Sequence, residues 1–196
     1  MSEPDPALLN RAAACYQRLG VLSEAARCYR EAGSHRRAAE LHERIGRFRD
    51  AALDHTRADN HELAAWLLAH GVGDPAGARA QLAAAPATSP SRSALRRRLV
   101  LARCDAAEGT SPRAALATLA AVCAELARPR TVPDPQLESW AVAVAESLGR
   151  PDQVALIFAA AVRGGRLGAE DRWRAWMRET LHAELVLPAP AAQIAR

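Results

Sequence analysis

Lysine is missing altogether: all 26 basic residues are arginine, a mark of GC-rich coding rather than of function. Aromatic residues make up only 4% of the chain. With β-branched residues also scarce, little favours a sheet. No C-x-x-C pair occurs among Cys15, Cys28, Cys104 and Cys123. A structural zinc site needs such tight ligand pairs, so no metal and no cofactor is expected. There is no P-loop, no G-x-G-x-x-G after a strand, no G-x-S-x-G and no H-E-x-x-H, which speaks against an enzyme. The longest strongly apolar run, Val154 to Val162, is too short for a bilayer. The opening MSEPDPALLN is acidic and lacks the apolar stretch of a leader. A soluble cytoplasmic protein with reduced thiols is the simplest expectation.

What the chain does have is alanine, at 47 of 196 residues. Alanine is the strongest helix former, so composition predicts helices separated by small side chains. The alanines are ordered. From residue 12 to 72 the sequence repeats every 13 residues, with pairs at Ala12-Ala13, Ala25-Ala26, Ala38-Ala39, Ala51-Ala52 and Ala64-Ala65. Three residues after each pair come Tyr16, Tyr29, His42, His55 and Leu68; four further on come Gly20, Gly33, Gly46, Asp59 and Val72. Each copy reads as one short helix. In Ser23–Ala32, Ser23 is placed to cap the helix. Leu22, Ala25, Ala26, Tyr29 and Ala32 share a face, and Gly33 stops the helix by taking the left-handed conformation. Isolated helices this short are unstable in water, so they must stack.

The segment LGVLSEAARCYREAG resembles the second helix of a tetratricopeptide repeat with its preceding turn. The family places a small residue, an aromatic and an alanine five, nine and twelve after the turn glycine. Here Gly20 is followed by Ala25, Tyr29 and Ala32, Gly33 by Ala38, His42 and Ile45, and Gly46 by Ala51, His55 and Ala58, with Phe48 in a further aromatic slot. The resemblance implies an all-α, right-handed α-solenoid of stacked helical hairpins that binds another protein. The pattern differs in one respect. A tetratricopeptide unit has two unlike helices in about 34 residues, whereas two of these copies span 26. The family's ligand-clamping positions are therefore not carried over.

The second half reads as longer helices at 92–108 and 112–127, then 134–148 and 151–163, and a last helix over 170–187. Gly109 and Gly149, 40 residues apart, break two hairpins, and Pro112 and Pro151 suit first helical turns. The expectation is about ten or eleven helices in a single repeat domain. It runs over 7–187, with a short-helix half 7–85 and a longer-helix half 92–187, between a flexible 1–6 and a flexible tail 188–196. Loops at 86–91 and 129–135 read as joints.

His42 and His55 take the tyrosine slot, and His35 and His61 the Leu22/Phe48 slot. They read as packing residues, and Cys15 and Cys28, which also share a slot, as small buried thiols. The best functional hint is charge. The net charge of +4 is too small to make nucleic acid the default partner. Yet the excess sits in residues 74–130, around Arg92, Arg96, Arg97, Arg98 and Arg103. These read as a solvated face or as a patch for an acidic segment of a partner. Trp66, and Trp173 and Trp176 on the last helix, are further candidates for partner contact, although the apolar stripe Trp173, Trp176, Met177, Leu181 and Leu185 of that last helix also reads as a cap. The leading expectation is a protein-binding adaptor. The alternatives are a regulatory subunit of a bacterial, ATPase-associated assembly, and a nucleic-acid module, whose binding would fall steeply with salt.

Overall fold

The structure, a computed structural model, describes residues 5–85, 91–129, 134–183 and 187, and of residues 91–93 the backbone alone. Every regular element among them is helical: α1 (Pro6–Arg18), α2 (Leu22–Glu31), α3 (His35–Arg44), α4 (Phe48–Arg57), α5 (His61–Trp66), α6 (Pro75–Ala84), α7 (Ser91–Glu108), α8 (Pro112–Leu126), α9 (Pro135–Ser147), α10 (Pro151–Arg163) and α11 (Ala169–Thr180). A π-helical turn, Leu67–Val72, continues α5. None of the described helices is long and apolar enough to cross a membrane. The chain divides into two compact units, Met1–Pro90 and Ser91–Arg196.

In the first unit each helix packs on the next. The alanine pairs make this possible, because a methyl is the largest group that fits where two helix backbones approach closely. Ala25, Ala26, Ala38, Ala39, Ala51, Ala52, Ala64 and Ala65 are all buried. Gly20, Gly33 and Gly46 end α1, α2 and α3 at positive φ, and Asp59 does the same after α4 at φ 57°. Ser23 is not a cap. The helix begins one residue earlier, Val21 is the N-cap, and no side chain bonds the free N–H groups there. Asp5 instead caps α1, through the Ala7 N–H, so Asp5 and Pro6 belong to that helix; residues 1–4 lie outside the described ones. The fifth copy loses the 13-residue rhythm where the π turn begins. That turn lays Gly71 so close on Phe48 that a Cβ there would overlap the ring.

In the second unit α7 and α8 form one hairpin and α9 and α10 another. Beyond the hairpin contacts, α7 packs on α9 and α8 on α10, and α11 packs on α10. Pro112 and Pro151 open α8 and α10, as their missing N–H allows. Gly164, just past α10, is buried against the C-terminal end of α8. A Cβ there would fall within the Leu126 carbonyl oxygen. The last helix ends at Thr180 rather than running to 187, and His182 follows at φ 50°. Leu185 and the tail 188–196 lie outside the described residues, as do most of the joint 86–91 and residues 130–133 of the joint 129–135.

Candidate functional site

The stacking of α2, α3 and α4 places one carboxylate where the repeat calls for an apolar side chain. Position 54 is the slot of Cys15, Cys28 and Leu41, and Asp54 is fully buried. Both its oxygens are engaged. Arg30 on α2 donates from Nε to Oδ1 at 2.7 Å and from Nη2 to Oδ2 at 2.9 Å. His42 Nδ1 on α3 lies 2.9 Å from Oδ2. His35 Nδ1 and Arg57 Nη1 stand further out, at 4.0 and 3.8 Å. The bidentate geometry is what makes arginine rather than lysine suitable here. The hydrogen bond to Asp54 holds the Arg30 guanidinium above its ordinary pKa, against the opposing effect of burial.

The cluster follows a rule of the repeat. The aromatic slot of each helix meets the residue 12 before it: Tyr29 Oη meets Gln17, His42 meets Arg30, and His55 Nε2 meets Glu43 at 2.7 Å. The histidines thus fill the tyrosine slot, as expected, and also carry polar contacts between neighbouring helices. With Arg30 and His42 occupying it, the Asp54 carboxylate is a lock between helices. No group of three or more His, Cys, Asp or Glu side chains placed to hold a metal occurs among the described residues.

The second unit holds a groove of about 720 Å³. Leu126, Val142, Phe158 and Leu167 supply apolar walls, and Leu167 is 93% exposed. The groove's acids are tied down. Glu138 accepts from Arg172 at 2.7 and 3.0 Å, which raises the arginine's pKa. Glu146 accepts from the Trp176 indole, and Asp134 accepts from Arg96 at 2.8 Å while capping α9. Two lining polar atoms, Asp134 Oδ2 and Arg166 Nε, are buried without a hydrogen-bond partner.

The candidate residues are distributed as follows. Trp66 is buried in the first unit and stacks on His70 at 5.0 Å. Trp173 is buried between Phe158 and Trp176. Arg96 bonds Asp134 and lies over the Trp140 ring at 6.0 Å. Arg98 is exposed, and Arg97 and Arg103 are half-buried and engaged. Arg92 lies on α7 within the span whose side chains are not described. Arg96, Trp173 and Trp176 therefore each touch a residue of the groove: Asp134, Phe158 and Glu146. Neither Asp54 nor the groove is among the residues singled out from the sequence. The repeat slot could have exposed Asp54 as the one charged residue in an apolar column.

Cys28 and Cys104 are buried and Cys123 is partly so. Cys15 is exposed, against expectation, because no described helix precedes α1 to cover it. Burial pushes the Cys123 thiol up to about 11, with Arg163 pulling the other way. A thiol that holds its proton more tightly folded than unfolded contributes stability that is intact below its ordinary value of 9.0. That contribution is lost as the pH climbs toward about 11. Urea titrations between pH 8 and 11 should therefore show stability falling less steeply for Cys123→Ala than for the parent; parallel slopes would contradict this.

Set against known proteins, the chain matches no family model, no curated protein and no solved structure.

Proposed function

We propose that this protein is a non-catalytic interaction scaffold that binds a peptide or helix of a partner protein. In this reading the helices of each unit stack as in a right-handed, tetratricopeptide-like α-solenoid, and the partner lies in the groove formed by α9 and the α10–α11 segment. The observation that carries it is the pairing of apolar walls with unmet polar groups. Buried polar atoms are nearly always hydrogen-bonded, yet Asp134 Oδ2 and Arg166 Nε in this groove are not. One accepts and the other donates, so each gains a partner if the covering side chains part to admit a peptide backbone. Leu167, exposed at the rim, offers an apolar contact of the kind that protein interfaces bury.

Fold-level likeness does not fix function, so the test is direct. A displayed peptide library is selected on the full chain and on Val142→Arg, which puts a charge on the groove wall. The expected result is peptides of micromolar affinity that bind the variant at least tenfold more weakly, about 1.4 kcal/mol. Selection of nothing, or of peptides indifferent to Val142→Arg and to Leu167→Glu, would count against the groove.

A further inference from the structure

The repeat gives four slots that lie along one helix face, three and four residues apart: 12, 15 and 16 in α1 and 19 at its C-cap. In the next copies the same slots are Ala25, Cys28, Tyr29 and Ala32, then Ala38, Leu41, His42 and Ile45, then Ala51, Asp54, His55 and Ala58. In these three copies the first three slots are buried and the fourth half-buried. In α1 the same face is open: Ala12 is half-buried, Cys15 is exposed, Tyr16 is 37% exposed and Leu19 is 76% exposed. The difference has a structural cause. The aromatic slot of each inner helix meets a side chain of the preceding helix, at Gln17, Arg30 and Glu43, and no described helix stands before α1. The open face is therefore a continuation of the interfaces between α1, α2, α3 and α4, with its small alanine and aromatic slots in register.

Arginine dominates its electrostatics, although Glu40 of α3 lines an adjoining depression with Gln17 and Arg44. α1 carries no acidic residue. Around Cys15 lies a depression of about 700 Å³ lined by Arg11 and Arg18 of α1 and Arg44 of α3, with Arg18 Nη2 3.4 Å from the sulfur.

We propose that this face of α1 docks an acidic, alanine-rich amphipathic helix of a partner protein, seated as the preceding member of the stack. Small residues of that helix meet Ala12. A glutamate or glutamine in the slot of Gln17 and Glu43 meets the Tyr16 hydroxyl, and its acids face Arg11, Arg18 and Arg44. A second copy of α1 would set arginine against arginine, which like-charge repulsion disfavours. This names a site and a partner chemistry for the scaffold reading and rests on it. One helix face is a small interface, so the affinity expected is weak, tens of micromolar.

The probe is a helix-stapled synthetic peptide with the sequence of residues 21–33 carrying Arg27→Glu, Arg30→Glu and Cys28→Ser. The parent charge version, with Arg27 and Arg30 retained, is the control. Binding to the full chain is read by fluorescence anisotropy and by the alkylation rate of Cys15. The expected result is a dissociation constant near tens of micromolar for the acidic peptide. The control should bind at least tenfold more weakly, and saturating acidic peptide should slow Cys15 alkylation at least fivefold. Ala12→Arg should abolish both effects while the helical circular dichroism of the chain is kept; Tyr16→Glu serves if Ala12→Arg does not fold. Absence of protection at millimolar peptide, equal binding of the two peptides, or undiminished binding to Ala12→Arg would overturn the proposal. So would a concentration-dependent dimer, lost in Ala12→Arg, in which Cys15 is protected, since it assigns the face to a second copy. Groove peptides that still bind when this face fails would confine the failure to α1 and leave the scaffold reading standing. Failure of both would remove the reading itself.

Discussion

Arg30→Met will destabilise the first unit by about 3 kcal/mol, the lower end of the cost of removing one partner from a buried ion pair, because Asp54 is buried while Arg30 keeps 28% of its side chain exposed. Asp54 has no exposure, and its other basic neighbours stand beyond hydrogen-bonding distance, Arg57 at 3.8 Å and His35 at 4.0 Å. The substitution leaves the buried carboxylate with His42 at hydrogen-bonding distance and only the more distant Arg57 and His35 besides, and the low local dielectric makes that costly. Asp54→Leu in the same background should restore most of the loss, because position 54 then carries what Leu41 carries one copy earlier. Adding His42→Tyr returns the aromatic slot to the residue found at 16 and 29. The triple variant should come within about 1 kcal/mol of the parent or exceed it, as buried ion pairs replaced by apolar side chains of similar volume often do. Urea unfolding followed by circular dichroism decides the matter. If Arg30→Met and the triple variant are equally unstable, the cluster is not the lock described above.

Gly164→Ala will destabilise the second unit by about 3 kcal/mol, the upper range for forcing one methyl into a packed interior. Glycine is required there by proximity, not by backbone angle. The residue has an ordinary φ of −77°, but an added Cβ would collide with the Leu126 carbonyl, and main-chain atoms at a helix end cannot swing aside as a side chain can. Gly165, next in sequence, is the built-in control. It has φ 69° and open space around its Cβ position, so alanine there costs only the left-handed penalty of about 1 kcal/mol. Denaturation read by the tryptophans of α9 and α11 should rank Gly164→Ala well below Gly165→Ala. The reverse order would mean that α8 and α10 do not approach so closely.

Much of the secondary structure was legible in the sequence. The alanine pairs, the spaced glycines and the Gly…Pro breaks at 109–112 and 149–151 act locally, so reading along the chain finds them. Four longer helices fall within a residue or two of where spacing put them. The π turn after Trp66 was not legible, since it depends on how Gly71 meets Phe48 from another copy. Nor was the end of α11, because a run of apolar residues says where a helix could continue and not where packing stops supporting it. The site was less readable still. Arg30 and Asp54 are 24 residues apart and Arg172 and Glu138 34, distances over which only the tertiary arrangement decides who meets whom. Arginines on α7 were read as a surface from their density, yet Arg96 serves to hold Asp134 and cover Trp140. The exposed face of α1 was hidden by the regularity of the repeat itself. Identical slots suggest identical environments, and α1, before which no described helix stands, is where that fails.

The stacking register is tested most directly by timed alkylation of the unmodified chain under native conditions, with each cysteine quantified by mass spectrometry. Cys15 and Cys28 occupy the same slot one copy apart. Cys15 should react at close to the rate of an unfolded thiol. Cys28 should react only through opening of the unit, slower by about a thousandfold for a stability near 4 kcal/mol. Equal rates would show that no helix covers the slot in the second copy, and both the stack of alike helices and the open face at its start would be wrong.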